Sequence, residues 1–165
     1  MQIRAIEKRD AAELMELKLT LARETDTMLL EADERHDTKK SVREEIAESE
    51  LSGSLLIGAF DGADLVGYLS AERGIWRKIR HSAYITIGIL PAYQGQKIGT
   101  QFFEKLDAWA TDNEITRLEL TVMAHNERGI ALYRKAGFVT EGTKRNALMQ
   151  NGQYIDEYSM AKVTE

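Results

Sequence analysis

Residues 85–100 read ITIGILPAYQGQKIGT, and the change of pattern inside this stretch decides the fold. The residues from Ala83 to Leu90 are rich in β-branched and aromatic side chains, which favour the half-buried surface of a strand. Pro91, the only proline of the chain, ends that strand because it has no N–H to donate to a sheet. Beyond it, apolar residues at helical spacing predict a helix with one face in the core: Ile98, Phe102, Leu106 and Trp109.

The loop Gln94–Thr100 leads from this buried strand into the start of a helix. A helix start presents backbone N–H groups without intrahelical partners, together with the positive end of the helix dipole. Small residues let an anion approach the main chain, so the natural ligand of such a loop is a pyrophosphate. The simpler alternative is structural, with Gly95 and Gly99 making a tight turn and a close helix–sheet contact. The loop taken alone favours neither interpretation over the other.

Two common nucleotide-binding motifs do not fit this loop. A Walker-type phosphate loop closes with a Gly-Lys-Ser/Thr triplet, which is absent here. The dinucleotide fingerprint needs three spaced glycines after the first strand of the fold, and this loop comes much later in the chain.

Composition limits the classes of protein that fit. The 165 residues suit one domain, 1–165, and they include no cysteine, which excludes a thiol nucleophile and a disulfide framework and favours the cytoplasm. The net charge of −5 disfavours a nucleic-acid binder. No apolar run approaches the ~18 residues of a membrane helix, and without a basic-then-apolar N-terminal segment we expect no secretory signal. The three histidines have no metal-ligand spacing, so we expect no metal: His36, His81 and His125.

The first half of the chain alternates strand and helix signals. Ile3–Ile6 predicts a short strand, and Asp10-Ala11-Ala12-Glu13 has the pattern of a capping box for a helix that runs to about Glu24. The acidic stretch 24–37 predicts a loop. A second helix carries Val42 and Ile46 and ends before Gly53. A hairpin follows, with strands 55–60 and 65–72 around the turn Asp61-Gly62.

The second half predicts a crossover and a final hairpin. Leu118–Met123 is a strand, and Asn126 can cap a helix to about Lys135. Strands 138–148 and 154–162 flank Asn151-Gly152, a strong hairpin signal. Strand, helix and strand around Pro91 should form a right-handed parallel crossover. The fold class is therefore α/β: a mixed, mostly antiparallel sheet with helices on both faces.

The stretch 85–100 resembles the acetyl-CoA signature of the GNAT N-acetyltransferase family, whose pattern is Gln/Arg-x-x-Gly-x-Gly/Ala. Gln94 and Gly99 match its ends, and Lys97 stands where the family has its middle glycine. Lys97 can still donate its backbone N–H if φ stays negative, and its ammonium can reach a phosphate.

A second motif supports the same resemblance. His125–Phe138 is similar to the family's segment Asn-x-x-Ala-x-x-Leu-Tyr-x-Lys-x-Gly-Phe, with Gly129 in place of the usual alanine. The two motifs lie one strand–helix–strand apart, as in the family, and the element order of the whole chain also fits. The resemblance implies a single N-acetyltransferase domain over 1–165 with splayed parallel central strands.

The resemblance also implies roles for individual residues. The main chain of Ile87, Gly88 and Ile89 would pair with the pantetheine arm of acetyl-CoA, and the N–H of Ile89 would polarise the thioester carbonyl. The pyrophosphate would lie on the loop formed by Gly95, Gln96, Lys97, Ile98, Gly99 and Thr100. Asn126 would contact the pantetheine, while its own residue type also suits a helix cap.

Tyr133 matches the family's general acid. A phenol with a pKa near ~10 can protonate the departing sulfur, whereas the alternative for Tyr133 is a ring packed in the core with its hydroxyl at the surface. No general base is assigned. Thr121 occupies the position where related N-terminal acetyltransferases often have a glutamate, and Glu119, Glu72 and a water chain are all candidates.

The acceptor implied by the resemblance is a primary amine: a small molecule, a polyamine or a protein N-terminus. Its specificity should come from the acidic stretch between the first two helices and from the final hairpin. Those acidic residues could attract a cation or form a solvated face: Glu24, Asp26, Glu31, Asp33, Glu34 and Asp37. Family members are often homodimers, with the final hairpin as a candidate interface.

Two alternatives to an active acetyltransferase stay open at this point. One is a non-catalytic acyl-CoA-binding or regulatory domain on the same fold, which Lys97 and the unassigned base leave room for. The other is a different nucleotide-binding enzyme, which would bind ATP or NAD instead.

Overall fold

The computed structural model describes all 165 residues, as seven strands and four helices. The strands are β1 (Gln2–Ala5), β2 (Leu55–Asp61), β3 (Asp64–Arg73), β4 (Ser82–Ile89), β5 (Arg117–Met123), β6 (Val139–Gln150) and β7 (Gln153–Val163). The helices are α1 (Ala11–Glu24), α2 (Lys39–Leu51), α3 (Ile98–Asp112) and α4 (Glu127–Lys135). The predicted order of elements is thus confirmed.

Local turn and cap signals explain several of these boundaries. Asn151 and Gly152 both have positive φ, 51° and 74°, as the tight turn between β6 and β7 requires. Asn126 Oδ1 accepts the N–H of Gly129 at 3.0 Å and so caps α4. Gly137, with φ 100°, follows the end of the same helix.

The predicted capping box at Asp10–Glu13 is wrong. Asp10 precedes α1, but its side chain makes no cap bond to that helix. Instead it accepts the N–H of Glu7 at 2.8 Å and two bonds from Arg4, at 2.8 and 2.9 Å. The box spans Glu7–Asp10, one short turn earlier, because the buried carboxylate has a guanidinium partner there.

The seven strands form one sheet in the order β1-β2-β3-β4-β5-β7-β6. Only β4 and β5 are parallel, and α3 connects them as the predicted crossover. One core lies between the sheet and α3 with α4, and includes Phe102, Leu106 and Ile130. A second core lies on the opposite face, where α1 and α2 bring Leu14 and Val42 against the sheet. Helices therefore cover both faces, as predicted.

The two parallel strands pair over a very short distance. Their register contains only Ser82 with Arg117, Ala83 with Leu118 and Tyr84 with Glu119. Beyond Tyr84, β4 continues to Ile89 bonded to β3, and β5 continues bonded to β7. A wedge-shaped gap therefore opens in the middle of the sheet, where two strand edges face each other without pairing.

No helix of the structure is both long and apolar enough to cross a membrane.

Candidate active site

The backbone of β4 alternates between its two neighbours. Leu90 donates its N–H to the carbonyl of Val66 at 3.0 Å, and the Ser82 carbonyl accepts from Gly74 at 3.0 Å. Val66 and Gly74, the partners in these two bonds, lie in β3 and directly after it. The even-numbered residues of β4 therefore direct their main-chain groups toward β3.

The odd-numbered residues of β4 direct theirs toward β5. The His81 carbonyl accepts the N–H of Thr116 at 2.9 Å, at the closed end of the gap. Ile87 and Ile89 follow in the same alternation, but no residue of β5 is in register with them. Their N–H groups therefore face the gap as hydrogen-bond donors, in the position of an unpaired strand edge.

Gly88 contributes to the gap through its missing side chain. Its own main chain faces β3, in register with Tyr68. A Cβ at Gly88 would lie 2.6 Å from Cδ1 of Leu21, so the glycine lets α1 approach the sheet closely.

A row of free N–H groups follows the end of β4. Residues 95–100 donate no main-chain N–H to any acceptor in the protein, and the first bond of α3 runs from Gln101 N to the Lys97 carbonyl. No side chain caps the helix start. Six consecutive donors and the positive end of the α3 dipole thus converge on one loop, which suits a pyrophosphate.

Lys97 adopts a left-handed conformation, with φ 64° and ψ 16°. The condition that its φ stays negative is therefore not met. This region favours glycine, so a lysine here carries steric strain of about 1–2 kcal/mol.

The two glycines of the loop have separate structural roles. Gly95 has φ 77° and open space around it, so it serves the turn. Gly99 is buried against α4, where an added Cβ would lie 2.7 Å from Cδ2 of Leu132. The predicted close contact thus exists, but it joins two helices and not a helix and the sheet.

Two cavities meet at the gap. The loop-side cavity, about 350 Å³, extends toward Pro91 and Gln94. The hairpin-side cavity, about 390 Å³, extends toward Leu148 and Glu157 on the final hairpin. Five residues line both: Thr27, Met28, Ile87, Asn126 and Tyr133.

The structure brings five of the eleven predicted site residues to these cavities. Ile87, Gly88, Ile89, Asn126 and Tyr133 all line the loop-side cavity. The residues from Gly95 to Thr100 lie just beyond Gln94 and form the donor loop described above.

Tyr133 lies where the two cavities join. Its ring packs edge-on against Phe103, at 6.0 Å between centroids, and lies 6.3 Å from Phe138. The hydroxyl has no hydrogen-bond partner in the protein, and burial raises the pKa of Tyr133 to about 12, with a smaller effect of Tyr84. The Tyr133 ring is thus part of the core, while its hydroxyl is unbonded at the junction of the two cavities and stays protonated at neutral pH.

The two glutamates considered as bases lie outside both cavities. Glu119 is paired with Arg117, Oε2 to Nε at 2.7 Å, and Glu72 is exposed at the far end of β3. Thr121 Oγ1 shares a 2.7 Å hydrogen bond with the Tyr84 hydroxyl. Glu157 of β7, which sequence reasoning did not single out, is the glutamate that lines the hairpin-side cavity.

The acidic stretch is only partly at the site. Glu24 and Asp26 line the loop-side cavity, and Asp26 lies 3.3 Å from Nε2 of His125. The other four acidic residues line neither cavity: Glu31, Asp33, Glu34 and Asp37. Gln150 donates to the Asp26 carbonyl at 2.9 Å, so this loop and the final hairpin close over the site together.

Comparison with known proteins identifies the family of this chain. The pattern of the acetyltransferase (GNAT) family matches residues 14–138. The chain belongs to the GNAT family. The structure contains no group of three or more His, Asp or Glu side chains that could hold a metal ion.

Several GNAT relatives are named N-acetyltransferases. The L-amino acid N-acetyltransferase AaaT of Escherichia coli is 32% identical over 66% of this chain and 67% of its own. The N-alpha-acetyltransferase RimI of Mycobacterium tuberculosis is 34% identical over 64% of each. A spermidine N(1)-acetyltransferase of Escherichia coli is 35% identical, but over only 50% of this chain and 45% of its own.

Solved GNAT structures superpose over nearly the whole chain. A GNAT acetyltransferase from Streptococcus pneumoniae gives a TM-score of 0.94 at 29% identity, covering 99% of both chains. A structure from Salmonella typhimurium, solved with its cofactor acetyl-CoA, gives 0.89 at 18% identity, covering 100% of this chain and 95% of the other. The predicted family, fold class and enzyme class, an N-acetyltransferase, are confirmed.

Proposed function

We propose that this GNAT chain transfers the acetyl group of acetyl-CoA directly to a primary amine while both are bound. The observation that supports this most is the meeting of two cavities at Tyr133, across the unpaired edges of β4 and β5. One cavity leads to the donor loop and the other to the final hairpin, so each can hold one substrate with the reacting atoms at the junction.

The loop-side features fit acetyl-CoA. Residues 95–100 offer free N–H groups for a pyrophosphate, and Ile87 and Ile89 offer strand-edge groups for the amides of the pantetheine arm. Asn126 uses its Oδ1 as the cap of α4, which leaves its amide N–H groups for the same arm.

In the proposed reaction the residues of this chain stabilise charge and transfer protons. Acetyl-CoA supplies an activated thioester. As the amine nitrogen bonds to the thioester carbon, the N–H of Ile89 stabilises the charge that develops on the carbonyl oxygen. Tyr133 donates its hydroxyl proton to the sulfur as the carbon–sulfur bond breaks, so that CoA leaves as the thiol. The incoming ammonium loses one proton through the hairpin-side cavity before it attacks, and the second proton, which the nitrogen loses as the amide forms, restores the Tyr133 hydroxyl.

A thiol-release assay tests this function. The protein is mixed with acetyl-CoA and separately with free amino acids, amino-acid amides, spermidine and short peptides, and free thiol is measured. Acetyl-CoA binding with amine-dependent release is the expected result. Binding without release from any amine would contradict it and favour a non-catalytic acyl-CoA-binding domain. Thermal shifts with ATP and NAD would detect a different nucleotide preference.

We further propose that residues 1–165 act as one cytoplasmic N-acetyltransferase domain and that two copies associate through the final hairpin. β6 is the edge of the sheet, and the apolar side chains of Val139 and Met149 are 64% and 62% exposed there. Light scattering of the purified protein, compared with a Val139→Lys variant, tests the dimer.

A further inference from the structure

The hairpin-side cavity contains one positive and one negative side chain. Its cation is Arg35, from the loop between α1 and α2, and its anion is Glu157, from β7. The other lining side chains are neutral, and many are apolar, including Met28, Leu29 and Leu148. A cavity of about 390 Å³ is in the range of small-molecule sites.

Arg35 has unused hydrogen-bonding capacity. Its side chain is only 13% exposed, and Nη1 donates to Oδ2 of Asp37 at 2.7 Å. Its Nε is the one buried side-chain polar atom of the protein without a partner. A guanidinium has five donors in a planar fork that matches a carboxylate. Only Nη1 is bonded within the protein and only Nε is buried without a partner, so a carboxylate in this cavity would find the Nη2 donors free.

Glu157, unlike Arg35, has no ion-pair partner in the protein. It is half-buried and lies opposite Met123 in the β5–β7 register, beside the open end of the gap. A carboxylate placed there favours an ammonium group close to Tyr133, which lines the same cavity.

We propose that the acceptor is a free amino acid, an amine that carries its own carboxylate and an apolar side chain. Arg35 binds the carboxylate, Glu157 binds the ammonium before it loses its proton, and the apolar wall takes the side chain. A polyamine would bring a second positive charge to Arg35, and a protein N-terminus would bring no carboxylate to it. This assignment rests on the proposed acetyl transfer and names its substrate class.

The decisive comparison is between L-leucine and L-leucinamide, which differ only in the carboxylate. The standard L-amino acids are assayed first with acetyl-CoA, and L-leucine is then compared with L-leucinamide and with spermidine. We expect kcat/KM for leucine to exceed that for leucinamide by roughly 10- to 100-fold, the range for losing a charge-assisted hydrogen bond. If leucinamide or spermidine is the better acceptor, the assignment is overturned while the acetyltransferase function stands. If no amine releases thiol, the proposed function itself fails.

A pair of variants separates recognition from loop structure. Arg35→Gln should lower kcat/KM for leucine by roughly 10- to 100-fold and change that for leucinamide little, with acetyl-CoA affinity retained. Asp37→Asn is the matched control, because it removes the same ion pair without touching the cavity. It should keep the preference for leucine. Equal loss of the preference for leucine in both variants would mean that Arg35 only maintains the structure of the loop, and it would overturn the proposal.

Discussion

Gly99 on α3 and Leu132 on α4 touch so closely that a Cβ at position 99 would lie 2.7 Å from Leu132 Cδ2. This contact fixes the distance between the helix that begins at the donor loop and the helix that carries Tyr133. A glycine that looks like part of a phosphate loop in the sequence therefore also positions the residue proposed as the acid.

Substituting Gly99→Ala should destabilise the protein by about 1–3 kcal/mol, since overpacking forces neighbouring side chains or helices apart. Urea denaturation measures the loss. The matched control is Gly142→Ala, because nothing lies within 4 Å of a Cβ built at Gly142. A double variant with Leu132→Ala should recover part of the loss. Additive effects of the two substitutions would mean that the contact is not the cause.

Removing the hydroxyl of Tyr133 should affect turnover more than binding. Tyr133→Phe keeps the packing against Phe103 and Phe138, so acetyl-CoA affinity should stay within about twofold, while kcat falls about 100-fold or more. Steady-state kinetics and calorimetric titration measure the two effects. Tyr154→Phe, on an exposed tyrosine of β7, serves as the control and should match the wild type. Parallel loss of affinity and kcat would indicate a structural tyrosine.

The buried tyrosines should make the protein less stable in alkali. Burial raises the pKa of both Tyr68 and Tyr133 to about 12, from an ordinary value near 10. The unfolded chain therefore releases these protons first, and stability falls as pH rises from about 10 toward 12. At about pH 11 each tyrosine should lower the free energy of unfolding by about 1.4 kcal/mol relative to its value at pH 9.

Urea denaturation at the two pH values checks this for the wild type and for Tyr68→Phe and Tyr133→Phe. Between pH 9 and pH 11 the free energy of unfolding of each variant should fall by about 1.4 kcal/mol less than that of the wild type. An equal loss in all three proteins would assign the alkaline sensitivity to lysines or other groups.

Lys97 allows strain and charge to be separated. Lys97→Gly removes the cost of a left-handed lysine and should raise the melting temperature by about 2–4 °C. Lys97→Ala keeps the strain but removes the ammonium. If the ammonium contacts a phosphate, both variants should bind acetyl-CoA more weakly than the wild type, and the difference should shrink at high salt. Unchanged acetyl-CoA affinity in both variants would mean that the Lys97 ammonium does not contribute to binding.

Local signals in the sequence determined the elements of this protein. Asn151-Gly152 specifies its turn because both residues tolerate positive φ, and Asn126 specifies a helix start because its side chain reaches a backbone N–H three residues on. The strand that ends at Pro91 and the helix that follows place the donor loop, and the two motifs indicate the GNAT family. These features depend on residues within one or two turns of each other.

The tertiary structure alone decided how the site is assembled. The pairing of β4 and β5 stops after Tyr84 and Glu119, and no residue at that point marks the end in the sequence. Asp10 bonds to Arg4 instead of capping α1, because folding brings a cation to it.

Arg35 and Glu157 come from a loop and a strand far apart in the chain, yet they line one cavity. The sequence predicted that acceptor specificity comes from the two segments that hold these residues. It singled out neither residue, since a surface built by long-range packing leaves no local pattern. The sequence thus determined that this chain is a GNAT acetyltransferase with a donor loop after Pro91. Only the packing of the hairpin and the α1–α2 loop over the gap decided which charges line the cavity proposed for the acceptor.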